Sequence, residues 1–145
     1  GRGKTGFCAA LARELLERHE LKVLFVPAFK LAGRLLAAKR DLKLASALAK
    51  LHRFDVIVVD ELGGYVDFSQ GEVDVLFSFF GERYEKQRSV FITTNLAFSE
   101  WEKVFKNPMT ATAVVDRIVH HCVLLEFPGK KSIREEEARQ RQAAA

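Results

Sequence analysis

The first five residues, Gly1-Arg2-Gly3-Lys4-Thr5, match the second half of the phosphate-binding pattern G-x-x-x-x-G-K-[ST]. Glycines in that pattern let backbone N–H groups close around phosphate oxygens, and the helix start behind them adds partial positive charge. The lysine reaches the β- and γ-phosphates and the Ser/Thr hydroxyl ligates Mg²⁺. In this chain the nucleotide-binding set is Gly1, Gly3, Lys4, Thr5 and Gly6, and the pattern's leading glycine falls upstream of Gly1. Taken alone, Gly-Lys-Thr reads equally well as a glycine-rich helix start with an ordinary lysine.

A second set of residues decides between those readings. Val56-Ile57-Val58-Val59-Asp60-Glu61 is a β-branched run ending in two adjacent carboxylates. Phosphate-loop enzymes need an acid at the end of a buried strand to hold Mg²⁺, which makes Thr5 and Asp60 the metal residues. Two neighbouring carboxylates repel each other, and the pair makes chemical sense if Asp60 serves the metal while Glu61 polarises an attacking water as general base. At the end of a third strand, the amide of Asn95 in Thr93-Thr94-Asn95 could hold both a water and a γ-phosphate oxygen, or simply form a turn.

The elements that must position these groups follow from periodicity. Phe7, Leu11 and Leu15, flanked by Cys8 and Ala12, recur at helical spacing, so a helix runs to Glu20 directly behind the glycine loop. Gly6 in its first turn costs about 1 kcal/mol of propensity relative to Ala. Residues 22–26 read as a strand buried on both faces and stopped by Pro27. One or two helices follow, with a break near Asp41. Ser69-Gln70-Gly71-Glu72 has capping-box spacing and opens a helix carrying Val73, Leu76, Phe77, Phe80 and Tyr84. Ser89–Thr93 is a strand, Ser99 opens a short helix that Asn107-Pro108 closes, and Thr110 or Thr112 caps another helix through His120. Cys122–Phe127 is the last strand, and 135–145 an exposed helix. Strands alternating with helices mean an α/β fold with a parallel sheet and a site at the strands' carboxyl ends.

Composition sets the outer bounds. At 145 residues, 48% hydrophobic and 29% charged, the chain is a single globular domain, 1–145. No apolar run is long enough to span a bilayer and no start resembles a signal peptide, so the expectation is a cytoplasmic protein without membrane contact. Met109 is the only Met, and the chain is expected to begin inside the phosphate loop, lacking the strand that leads into it. Cys8 and Cys122 stand far apart and read as two small buried hydrophobes. Residues 1–53 carry 12 Lys/Arg against 4 Asp/Glu, a net +8 that suits a polyanion such as DNA or nucleotide phosphate, or equally a set of solvated helix faces.

Taken with Arg53-Phe54-Asp55, Arg83-Tyr84-Glu85, Asn95-Leu96 with Phe98-Ser99-Glu100-Trp101, and Asp116-Arg117-Ile118-Val119-His120-His121, these motifs give a chain that resembles the AAA+ superfamily of P-loop ATPases. Within it, the chain is most similar to the DnaC-like group and its IstB-type transposition helpers. The resemblance covers nearly the whole length. It implies ATP and Mg²⁺ as cofactors, Asn95 as the sensor-1 residue, and Arg117 as an arginine finger acting in trans within a homo-oligomer. It also implies Arg134 as a nucleotide contact, DNA as a largely non-specific ligand, and a transposase or helicase as partner. Arg117 has an alternative reading as the salt-bridge partner of Asp116, and the His120-His121 pair as a cap or core contact. Two other functions fit the same residues: a replicative helicase loader, and a nucleotide-inactive DNA-binding remnant of a mobile element.

Overall fold

The computed structural model describes residues 3–64, 67–127 and 140–144. Its centre is strand β2 (Val56–Leu62), whose β-branched run is buried on both faces. Parallel strands β1 (Val23–Pro27) and β3 (Ser89–Thr94) flank it in the order β1-β2-β3, with Val26 opposite Val59 and Val59 opposite Ile92. Side chains alternate across a strand, so each sheet face collects its own core. Ile57 and Val59 join Val26 and the large cluster of Leu31, Leu35, Leu76 and Phe79. Val58 faces the other way, onto Cys8 and Ala12.

Those partners come from helices on both sides. Helix α1 (Lys4–His19) covers the Val58 face, and α2 (Ala28–Arg40), α4 (Gln70–Glu85) and α6 (Pro108–Val119) build the larger core. Between α2 and α3 (Leu44–Leu51) the chain breaks just after Asp41, where Leu42 takes φ +58°. The expected capping box on α4 is complete. The Ser69 hydroxyl accepts from Glu72 N–H at 3.2 Å, and the Glu72 carboxylate accepts from Ser69 N–H at 2.8 Å.

Arg83, inside α4, is fully buried and staples the start of the sheet. Its guanidinium donates to the carbonyls of Phe54 (2.8 Å), Asp55 (3.2 Å) and Ser89 (2.5 Å), tying the entries of β2 and β3 to one side chain. Burial and the nearby Arg88 charge push its pKa down to about 10, so it is charged at neutral pH.

Several expectations are corrected. Residues 122–127 are described but form no strand, since no described strand pairs with them; with β3 they line a wide cleft of about 1870 Å³. Cys122 is accordingly exposed, whereas Cys8 is buried as expected. Among the described residues β1 is an edge strand, with Phe25 exposed instead of buried. Among the described residues Ser99 caps no helix: Phe98–Glu100 form a 3₁₀ turn, with the Glu100 carboxylate accepting from Ala97 N–H, and α5 (Glu102–Phe105) follows. Asn107-Pro108 starts α6 where a stop was expected. The Asn107 side chain accepts from Met109 and Thr110 N–H, and Pro108 sits at the first helical position, where its missing N–H costs nothing. His120 and His121 are exposed beside Tyr84, whose hydroxyl lies 3.2 Å from His120 Nδ1. Of the expected tail helix, residues 140–144 are described; they are exposed and close one helical turn. Among the described residues no helix is long and apolar enough to cross a membrane.

Candidate functional site

Helix α1 begins at the carboxyl end of the sheet. Gly3 precedes it at φ +82°, a left-handed conformation that favours glycine, and the Gly3 carbonyl accepts from Phe7 N–H at 2.8 Å. This leaves the first amide groups of the helix without intrahelical partners, the arrangement that receives an anion. Lys4 is half-buried at that end, and Thr5 and Gly6 are exposed. The Thr5 hydroxyl reaches across to the Asp60 carboxylate, 3.0 Å from Oδ1 and 3.3 Å from Oδ2, joining the helix start to the end of β2. Two hard oxygen donors facing each other suit Mg²⁺, so Thr5 and Asp60 fit the metal role assigned to them.

At Asp60 and Glu61 the ladder is irregular. Val59 pairs with Ile92 and Leu62 with Thr94, so β2 spends one residue more than β3 over this step: a β-bulge. Glu61 is the extra residue, held at φ +59°. The bulge explains why two adjacent acids end a strand without one being forced into the core. Ile57 and Val59 point into the main core, and regular alternation would send Glu61 after them. With Glu61 inserted as the extra residue, Leu62 takes that buried place and Glu61 remains exposed, while Asp60 stays buried on the α1 face.

Thr93 stands opposite the bulge. Its buried hydroxyl lies 2.5 Å from Asp60 Oδ1 and 2.8 Å from Glu61 N. A carboxylate only accepts, so the hydroxyl proton goes to Asp60 and an oxygen lone pair accepts the Glu61 N–H. Sequence reasoning named Thr93 only as a strand end. A bulge is a property of register between two strands, and nothing within either strand announces it. Directly after the bulge, Gly63 turns the chain at φ +74°.

The cleft beside β3 gathers the remaining groups. Lys4, Thr5, Glu61, Asn95 and Arg117 all line it, Asn95 exposed and Arg117 half-buried. The Arg117 guanidinium lies 5.0 Å from the centre of the Phe77 ring and close over Gly81, and among the described residues no ion pair joins it to Asp116. Cys8, on the sheet-facing side of α1, is buried against Val58, where burial and then the charge of Asp60 raise its thiol pKa. Gly1 and Arg134 lie outside the described residues.

A parallel sheet covered by helices, with a glycine-led helix start and acids at the end of the central strand, defines an AAA+ P-loop domain. The crystal structure of the DnaC helicase loader shares this fold, with a TM-score of 0.76 over 88% of this chain and 73% of that chain, at 22% identity. The chain belongs to the IstB-like ATP-binding protein family, whose model matches residues 1–142. Among its relatives is a putative insertion sequence ATP-binding protein of Sinorhizobium fredii, 43% identical over 127 residues, which are 88% of this chain and 42% of that protein. Another is the insertion sequence IS21 putative ATP-binding protein of Pseudomonas aeruginosa, 34% identical over 130 residues, 90% of this chain and 48% of that protein. The chain thus spans less than half the length of these relatives.

Proposed function

We propose that this domain hydrolyses ATP with Mg²⁺ in a protein that binds DNA as an oligomer and assists a transposase. The observation that carries the proposal is the Thr5–Asp60 hydrogen bond at 3.0 Å, which joins the helix-start donors to the strand-end acids, with Glu61 alongside. Lys4 and the first amides of α1 bind the phosphates, and Thr5 and Asp60 hold the metal. When bound, Mg²⁺ neutralises phosphate charge in the transition state. Glu61, exposed and aimed by the bulge, takes a proton from the attacking water, and Asn95 orients that water against the γ-phosphate. Arg117 is the finger for a neighbouring subunit, which requires it to leave its resting place on Phe77. Loop residues Gly1 and Gly6, together with Arg134, complete the nucleotide contacts.

Exposed Lys30, Arg34, Lys39 and Arg40 on α2, Lys43 at the N-cap of α3 and Lys50 on α3, with Asp41 the sole acid among residues 28–53, support a DNA-facing surface. Phosphate-dominated binding of this kind weakens steeply with salt and has little sequence preference. The names of the insertion-sequence relatives favour a transposase partner over a helicase, since the DnaC likeness is one of fold alone.

The test is made in the full-length protein. Glu61→Gln should bind ATP as the wild type does and lose turnover by at least about 100-fold, the scale of a general base. Turnover that survives the substitution removes Glu61 from the mechanism. Mixing Arg117→Ala with Lys4→Ala subunits should restore part of the activity; mixed oligomers that remain inactive rule out a finger in trans.

A further inference from the structure

We propose that Thr93 is a positioning residue for hydrolysis, holding the bulge that aims Glu61 and fixing the carboxylate of Asp60; the inference rests on the ATPase reading above. The bulge leaves one N–H of β2, that of Glu61, without a ladder partner, and an unpaired amide at this depth is costly. Thr93 Oγ1 accepts it at 2.8 Å and returns its own proton to Asp60 Oδ1 at 2.5 Å. One hydroxyl therefore links the backbone of the proposed general base to the side chain of the proposed metal ligand. Because Thr93 is β-branched and buried in a strand, its χ1 is confined, and so is the direction of both bonds.

The geometry separates two jobs that adjacent acids would otherwise share. Asp60 Oδ1 already receives Thr93 and Thr5, which directs its remaining lone pairs toward the helix start. Glu61, pinned by its backbone alone, keeps a side chain free to meet water. Without the hydroxyl, the Glu61 N–H loses its acceptor and, among the described contacts, only the turn bond from Gly64 N–H to the Glu61 carbonyl, 3.2 Å, remains beside the φ +59° backbone, so the bulge relaxes and the carboxylate turns away from the cleft. Glu61 is therefore misaimed while the phosphate-binding end of α1 is untouched.

Thr93→Val keeps the shape and removes the hydroxyl; Thr93→Ser keeps the hydroxyl. In the full-length protein, Thr93→Val should lower kcat by about 10- to 100-fold and raise the Mg²⁺ concentration needed for half-maximal turnover, with ATP affinity unchanged. Thr93→Ser should restore both. Where Thr93→Val fails to fold, Thr93→Cys, of similar volume with a weak donor, should fall between Ser and wild type on one side and complete loss on the other. Equal activity of wild type, Ser and the hydroxyl-free variant overturns the proposal, as does a Ser variant as impaired as Val, which would make the effect one of packing. A wild-type protein that hydrolyses no ATP overturns the ATPase reading itself and the role of Thr93 with it. A hydrolysing wild type indifferent to Thr93→Val overturns this proposal alone.

Discussion

Replacing Gly63 with alanine asks the turn behind the two acids to accept a methyl group where none fits. Gly63 holds φ +74°, and the left-handed region costs an L-residue about 1–2 kcal/mol. The new Cβ would stand 2.5 Å from Leu96 Cδ1 and 2.9 Å from Val104 Cγ2. Leu96 is half-buried and its tip can swing, but Val104 is buried, β-branched and set between Trp101 and Phe105 on α5. Overpacking of that kind costs about 1–3 kcal/mol, so the loss for Gly63→Ala is about 2–5 kcal/mol. The control is the same substitution at Gly33, in the middle of α2, where a Cβ meets nothing within 4 Å and the helix gains about 0.5–1 kcal/mol. Urea unfolding read by the fluorescence of Trp101, buried beside Val104, measures both. Two substitutions of identical chemistry should move stability in opposite directions. A Gly63→Ala protein as stable as wild type would refute the strain argument at the end of β2.

Arg83→Met removes three hydrogen bonds from a charged donor; with the desolvation of the guanidinium returned in part, unfolding measurements should show a loss of about 2–4 kcal/mol, and Arg83→Lys should recover less than half of it for want of a fork. His52 is buried with Nε2–H donating to Glu82 at 2.9 Å and Nδ1 unpartnered, and burial, ahead of the opposing Glu82 hydrogen bond, lowers its pKa. Below the unfolded value near 6.5 the unfolded state takes up the proton more readily. The stability His52 contributes is therefore present above that pH and lost as pH falls through it. Melting curves from pH 7.5 to 5.5 should show wild type losing more than His52→Gln; parallel losses would remove His52 from the acid response.

The fold was legible where one strand or helix carries its own signal. The β-branched run 56–59, the Ser69–Glu72 capping box and the helical spacing behind Lys4 each place an element by local chemistry, and the structure has them there. Legibility failed where neighbours decide. The apolar stripe expected on α4 ran through Phe77 and Tyr84, yet the buried face is Val73, Val75, Leu76, Phe79, Phe80 and Arg83. The wholly buried guanidinium among them finds carbonyls just ahead of β2 and at the first residue of β3, partners invisible from α4 itself. Cys122–Phe127 has a strand's composition but no described strand to pair with. Asn107-Pro108 reads as a stop from sequence, with Thr110 or Thr112 as the next cap, yet it also starts α6, because the Asn107 side chain caps the first turn. In the site, the residue types at Lys4, Thr5, Asp60 and Glu61 were readable. The bulge that separates the two acids and the Thr93 hydroxyl that spans it were not, because both belong to the register between β2 and β3.

The central claim is that the start of α1 and the end of β2 form one nucleotide site, and calorimetric titration of the full-length protein with ATP and Mg²⁺ tests it most directly. In the proposed site Lys4 would supply a charged contact to the phosphates, so Lys4→Ala should weaken binding about 10- to 100-fold while leaving the unfolding transition in place. Equal affinity in wild type and Lys4→Ala, with both proteins folded, would contradict the claim.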